Sequence, residues 1–229
     1  MNQAQTPPLG AIFDCDGTLL DTMGLWRQME AELAASAGHE LMPSELDYLC
    51  ACTLDESAAF FYTRLGVGES PRAVRELIDR MAADHYANRA LPRPGVLEFL
   101  QSLRAAGVRC AVASSSPHSM LGPGLRGSGV GEYLDAVVSV EDVGASKREP
   151  AVYDRARELL GTPREATWVF EDAAYAVRTA KAGGYRTVAV WDCDKAGTLP
   201  ELAELADVAV RDWRDLDAGR FLAGGYARG

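Results

Sequence analysis

Apolar residues are spaced in two different ways along this chain. A short run, Ala11-Ile12-Phe13, reads as a buried strand and stops abruptly at Asp14-Cys15-Asp16-Gly17-Thr18. After Thr22 strand character disappears, and apolar positions recur at helical spacing. Leu25, Met29, Leu33 and Ala37 mark a helix over 23–37 that Gly38 ends, and Pro43-Ser44 opens a second with Leu46 and Leu49. Leu54 to Leu65 reads as a third, stopped by Gly66. Ser70-Pro71 caps a fourth, whose Val74, Leu77, Ile78 and Met81 form one face. Leu91-Pro92-Arg93-Pro94-Gly95 then breaks the chain. Beyond it the spacing alternates, with strands predicted over 108–113, 136–140, 167–170, 187–191 and 208–210. Helices are predicted over 96–106, 150–160, 173–182 and 199–205, and a loosely helical stretch contains Gly122, Gly124, Gly127 and Gly129. Alternating strands and helices imply a parallel sheet with right-handed crossovers. The expected fold is therefore α/β: a Rossmann-like doubly wound parallel sheet, built from 1–22 and 92–229, with an inserted α-helical cap domain over 23–91.

Bulk properties narrow the function. At 229 residues the chain can bury one substantial core and a small second domain. A formal net charge of −10 argues against general nucleic-acid or anionic-membrane binding. No run approaches the roughly 20 apolar residues of a membrane span, and the opening Met-Asn-Gln-Ala-Gln-Thr-Pro-Pro has no signal-peptide pattern and reads as a frayed lead-in. Cys15, Cys50, Cys52, Cys110 and Cys193 are scattered without a CxxC pair, which suits a reducing cytoplasm. Cys50-Ala51-Cys52 lacks nearby metal-ligand partners and is expected to be two small buried residues.

In a parallel α/β sheet a ligand sits beyond the carboxyl ends of the strands, so the residues there decide the chemistry. Strand alternation sends Asp14 and Asp16 to the same side, and Gly17 permits the turn after them. Two neighbouring carboxylates repel unless a cation or a proton lies between them, although Asp and Gly also make ordinary turns. After the strand ending at Ala113 come Ser114-Ser115-Ser116, whose hydroxyls and amides can hold a phosphate oxygen or simply cap a helix. Lys147 is one of only three lysines in an arginine-rich chain, and it precedes a predicted helix. A compact ammonium there suits a phosphate or a solvated loop. Glu171-Asp172 follow a strand and either join the acidic edge or favour the next helix's N-terminus.

Taken together, Phe13-Asp14-Cys15-Asp16-Gly17-Thr18, Ala113-Ser114-Ser115, Ala145-Ser146-Lys147 with Glu149-Pro150, and Val169-Phe170-Glu171-Asp172 resemble, in order and context, the four signatures of the haloacid dehalogenase (HAD) superfamily. The helical insertion is similar to the small cap of its β-phosphoglucomutase-like subgroup. The third signature departs from the usual Lys-Pro-x-Pro-Asp, since Arg148 and Ala151 replace a proline and the aspartate, and altered loop stiffness is expected there.

The resemblance implies a Mg²⁺-dependent phosphatase acting on a small, sugar-phosphate-like monoester through an aspartyl-phosphate. It assigns Asp14 as nucleophile, Asp16 as acid and base, and Ser114, Ser115 and Lys147 to the phosphoryl group. Asp14, the Asp16 carbonyl and Asp172 are the implied metal ligands, with Glu171 behind them. Retention of Asp16 argues against dehalogenation, and the absence of lysine from 23–91 argues against phosphonoacetaldehyde hydrolysis. A β-phosphoglucomutase-type mutase is the nearer alternative. Trp26 stands where those mutases carry a histidine and Leu54 where they offer an arginine, so hydrolysis is favoured; Trp26, Arg27 and Leu54 are the candidate leaving-group contacts. A receiver-like phosphoaspartate signalling protein, or an idle binding protein on the same fold, stays open as another class. The order of Lys147 before Glu171-Asp172 counts against a receiver, and the presence of both Asp14 and Asp16 counts against an idle fold. The partner expected is a small phosphorylated metabolite, and the chain a monomer or weak dimer.

Overall fold

The computed structural model describes residues 9–192 and 196–226; the lead-in, Cys193 and Lys195 lie outside them. Strand β1 (Gly10–Phe13) is buried at every position and runs down the middle of a six-stranded sheet. Its neighbours are β2 (Arg109–Ser114) and β4 (Thr167–Glu171), followed outward by β3 (Ala136–Ser139) on one side and β5 (Arg186–Val190) and β6 (Val208–Val210) on the other. Every pairing is parallel, in the order β3-β2-β1-β4-β5-β6. The chain winds one way from β1 through β2 to β3 and the other way from β4 to β6. The strand order therefore reverses between β1 and β4, where an open parallel sheet leaves a crevice.

Both faces are covered, as a sheet of Val, Ile, Ala and Phe requires. On one face Phe13 stacks on Phe170 at 4.6 Å, and Phe170 on Trp213 at 5.6 Å. Such aromatic pairs contribute about 0.5–1.5 kcal/mol each beyond the area they bury. Helix α5 (Val96–Ala105) packs there through Phe99, together with α10 (Ala218–Leu222), a short helix the hydrophobic spacing does not predict. On the other face α7 (Ala151–Leu160) buries Val152, Tyr153, Ala156 and Leu160 against Ile12, Ala111 and Val169. Helices α8 (Ala174–Ala182) and α9 (Leu199–Leu205) complete this layer beside β5.

Helices α1 (Met23–Ser36), α2 (Pro43–Cys50), α3 (Leu54–Leu65) and α4 (Pro71–Asn88) gather around an apolar cluster of their own, including Met29, Leu33, Leu49, Phe61, Val74 and Ile78. Thr53 caps α3 by a reciprocal box: its hydroxyl accepts the Glu56 N–H at 3.2 Å and its own N–H donates to the Glu56 carboxylate at 2.8 Å. The two chain crossings between these helices and the sheet lie side by side. The Asp21 N–H donates to the Leu91 carbonyl and the Arg93 N–H to the Leu19 carbonyl, both at 2.9 Å. Arg93 ties this crossing to the sheet's edge by donating to the Gly17 and Trp191 carbonyls and pairing with Asp192 at 3.1 Å.

The glycine-rich stretch is helix α6 (His118–Gly127), and its small residues have a packing reason. A Cβ on Gly124 would sit 2.9 Å from the Tyr86 ring, so glycine lets α6 approach α4 closely. Met120 of α6 joins the helical cluster at the same contact.

Candidate active site

Parallel register brings the carboxyl ends of β1, β2 and β4 level, with Phe13 opposite both Val112 and Phe170. Asp14 leaves β1 with its N–H still bonded to the Phe170 carbonyl at 2.9 Å. Gly17 turns the chain at φ +81°, and any Cβ there would run into the Asp172 carboxylate and the Met23 side chain. Only glycine fits, for conformation and for space.

Four ionisable side chains meet at this edge although each is almost fully buried: Asp14 is 6% exposed, Lys147 3%, Glu171 1% and Asp172 4%. Lys147 Nζ donates to Asp14 Oδ1 and, at 2.7 Å, to Glu171 Oε1. Tyr153 of α7 donates to the same Glu171 oxygen at 2.7 Å. Burial lowers the lysine's proton affinity, but Asp14 and Glu171 outweigh it, and Lys147 stays charged well above the usual lysine range. Burial pushes Asp14 up to about 7 despite Lys147, with Glu171 and Asp16 adding to the rise. Asp172 is also driven far above the carboxylate range, by burial first and then by Asp14 and Glu171.

Asp14, Glu171 and Asp172 can each present an oxygen within 4.8 Å of the others. Fully ionised, as around a bound cation, three carboxylates against one ammonium carry an excess of two negative charges. Hard oxygen donors in that number fit a divalent cation such as Mg²⁺.

Asp16 lies beside this cluster in a different environment. Thr22 donates to its Oδ1 at 2.5 Å, Ser116 to its Oδ2 at 2.6 Å, and the phenol of Tyr86 also to Oδ1. Burial and the Asp16 charge keep the Tyr86 proton on its oxygen. Trp26 Nε1 donates to that phenol at 3.1 Å, so α1 and α4 both bear on the Asp16 carboxylate.

A cavity of about 120 Å³ opens between the sheet edge and the helices, lined at its floor by Asp14, Asp16, Lys147, Glu171 and Asp172. Trp26 and Leu54 line its walls, as do Cys50 and Cys52, which are half-buried rather than core residues. Arg27 does not border this cavity and faces Asp192 at 3.9 Å. Ser114, expected on the phosphoryl group, is fully buried at the end of β2, where its hydroxyl accepts the Ser116 N–H at 3.0 Å. That bond uses one lone pair and leaves the hydroxyl proton to donate, while Ser115 and Ser116 border the cavity.

Several residues here escaped the sequence reading. Thr22 and Ser116 sit within or beside the recognised motifs, so position alone signalled them. Tyr86 continues the four-residue spacing of Val74, Ile78 and Ala82 on the buried face of α4, and a tyrosine on an apolar stripe calls for a polar partner. The departure at Arg148 has a structural role: its guanidinium pairs with Glu56 of α3 at 3.1 Å, joining the Lys147 loop to the helical insertion.

The comparisons agree with this geometry. The family model for haloacid dehalogenase-like hydrolases matches residues 11–190. The Rhodobacter capsulatus protein CbbY is 29% identical over 219 residues, covering 90% of this chain and 93% of its own. Hexitol phosphatase B of Escherichia coli K12 is 29% identical over 214 residues, covering 92% and 95% respectively. Among solved structures, β-phosphoglucomutase of Clostridium difficile superposes with a TM-score of 0.78 at 17% identity, over 96% of this chain and 97% of that one. The sheet order, the acidic edge with its lysine, and a family match spanning most of the sequence point one way: the chain belongs to the haloacid dehalogenase-like hydrolases and shares the fold of the β-phosphoglucomutase-like members.

Proposed function

We propose that the protein is a phosphatase that hydrolyses a small, sugar-phosphate-like monoester through an aspartyl-phosphate on Asp14. One observation carries the reading: two carboxylates face one cavity in opposite environments, Asp14 against Lys147 in the buried ionic cluster and Asp16 among the neutral donors Thr22, Tyr86 and Ser116. Divergent environments for paired carboxylates divide nucleophilic work from proton transfer.

Asp14, Asp172 and the Asp16 carbonyl, with Glu171 behind them, would hold Mg²⁺. Its charge would screen the repulsion between Asp14 and the incoming phosphate dianion. The Asp14 carboxylate attacks phosphorus, and the bond from phosphorus to the leaving oxygen breaks as Asp16, which enters this step carrying a proton, delivers it to that oxygen. Asp16, now ionised, takes a proton from a water that attacks the aspartyl-phosphate, releasing phosphate and restoring Asp14. Proton transfer of this kind contributes roughly 10²- to 10⁴-fold. Lys147 and the amides near Ser115 receive the charge that builds on the phosphoryl oxygens. The helices over 23–91 act as a cap that closes water out of the cavity during attack.

Chelation with EDTA abolishes phosphate release in this reading and Mg²⁺ restores it, while Asp14→Asn loses the activity. Undiminished turnover by metal-free protein, or a near-normal rate in Asp14→Asn, refutes it. Hydrolysis is favoured over phosphoryl return to the substrate because Leu54 and Trp26 offer no charge to a second phosphate. Oxygen-18 from labelled water therefore enters the released phosphate.

A further inference from the structure

The cavity's floor and walls differ in chemistry. Every cation and nearly every anion among the described residues of the lining belongs to the floor, where the phosphoryl group would sit. The walls that would surround the rest of the substrate are mostly apolar, with Trp26, Met29, Leu33, Leu49, Leu54 and Phe61, and carry the neutral polar groups of Ser57 and Tyr175. Their one charged member is an acid, Glu30.

Arginines do stand nearby, but Arg75, Arg148 and Arg93 are each paired with acids. Arg75 of α4 holds Asp55 at 2.7 Å, Asp79 at 3.0 Å and Glu141 at 3.1 Å, and it borders a separate cavity of about 260 Å³ beyond Leu54. Arg148 pairs with Glu56 at 3.1 Å and also bonds Cys52 from behind the wall, and Arg93 pairs with Asp192 at 3.1 Å. Leu54 borders both cavities, so an apolar side chain separates the Arg75 network from the substrate's space. The indole N–H of Trp26 is already engaged, donating to Tyr86.

From this we infer that the substrate carries a single phosphate on a neutral alcohol that lays an apolar face against Trp26 and Leu54. The inference rests on the phosphatase reading and narrows it. A carboxylate or second phosphate on the leaving group would be buried beside Leu54 and Trp26, near Glu30, where the arginines named are already paired with acids. An unpaired buried anion is among the most costly arrangements a site can impose. A dense set of hydroxyls would meet a milder penalty, because apolar pockets discriminate weakly against added hydroxyls. Trp26 and Leu54 are the specificity residues in this account, the indole face and the leucine branch covering the alcohol's hydrocarbon surface.

The test compares benzyl phosphate with 2-phosphoglycolate and fructose 1,6-bisphosphate, using Mg²⁺-loaded full-length protein and released phosphate as readout. All are esters of unactivated alcohols, so the body of the leaving group is the main variable. The expected kcat/KM favours benzyl phosphate by about 10²-fold or more, the range that opens when a site's polar and charged partners fail to match. The variant Leu54→Arg places a cation at the wall and should shrink that preference at least about tenfold. A preference below tenfold in the native protein, or one unchanged in Leu54→Arg, overturns the inference. Acetyl phosphate, with almost no body, separates the two levels. If it is hydrolysed while the anionic esters match benzyl phosphate, only the substrate class is wrong. If none of these compounds releases phosphate, the phosphatase reading falls and the inference with it.

Discussion

Lys147→Met tests whether one buried ammonium holds the acidic edge together. The substitution keeps most of the side chain's length and removes its charge and its donors. Lys147 contacts both Asp14 and Glu171 while only 3% exposed, so its loss strands two buried carboxylates beside Asp172. Removing one partner of a buried ion pair costs about 3–5 kcal/mol. For a chain of this size, each kcal/mol lowers Tm by about 2–4 °C, which places the expected loss at roughly 6–20 °C in metal-free protein above pH 8. The stranded Asp14 can escape by taking up a proton, and this sets the pH dependence. Burial already places Asp14 at about 7, above its ordinary value of 3.8, and removing the lysine raises it further. An acid with a raised folded pKa binds more protons folded than unfolded. Its stabilising contribution is present at low pH and is lost as pH rises through the folded value. The deficit of Lys147→Met should therefore be largest at pH 8.5 and shrink by half or more at pH 5.5. Thermal melts followed by circular dichroism in EDTA measure it directly. A deficit below about 1 kcal/mol, or one equal at both pH values, would refute the view that the lysine's charge offsets the cost of burying Asp14.

Three further outcomes are expected. Tyr86→Phe removes one of the three donors to Asp16 and leaves Thr22 and Ser116 in place. We expect a stability loss near the lower end of the roughly 1.5–3 kcal/mol typical of hydrogen bonds to charged groups, with kcat falling about tenfold and KM changing less; a native kcat would remove Tyr86 from the positioning of Asp16. Because burial raises the proton affinity of Asp14 and Asp172, Mg²⁺ binding should release protons below neutral pH and tighten as pH rises. Calorimetry in two buffers of different ionisation enthalpy reads this, and identical heats would contradict it. Gly17→Ala combines a strained φ of +81° with a clash against the Asp172 carboxylate, so it should cost about 1–3 kcal/mol and also weaken Mg²⁺ binding; a neutral effect on both would show that the turn has more room than its geometry allows.

The sequence by itself determined much of the fold and the chemical inventory. Alternating strands and helices from Val96 onward fixed a parallel sheet, because buried strands and crossover helices have distinct hydrophobic periods. The predicted ends of β2, β3 and β5 differ from the observed ones by a residue or so. Asp14, Asp16, Lys147, Glu171 and Asp172 were legible as a group because strand alternation and chain order place them at one edge. The bond from the Ser116 N–H to the Ser114 hydroxyl was not legible, because it depends on the local turn after β2. Gly124 had no reason in the sequence; its reason is the Tyr86 ring, 38 residues earlier in the chain by numbering and 2.9 Å from where a Cβ would stand. The sequence could identify Arg148 as a departure, but only the tertiary structure showed it bound to Glu56 on another helix. Local periodicity encodes which elements form and which way their faces point. The environment of a side chain is set by packing between elements distant in sequence. That packing alone decided that Asp14 would lie against an ammonium and Asp16 among neutral hydroxyls, and it walled their shared cavity with hydrocarbon.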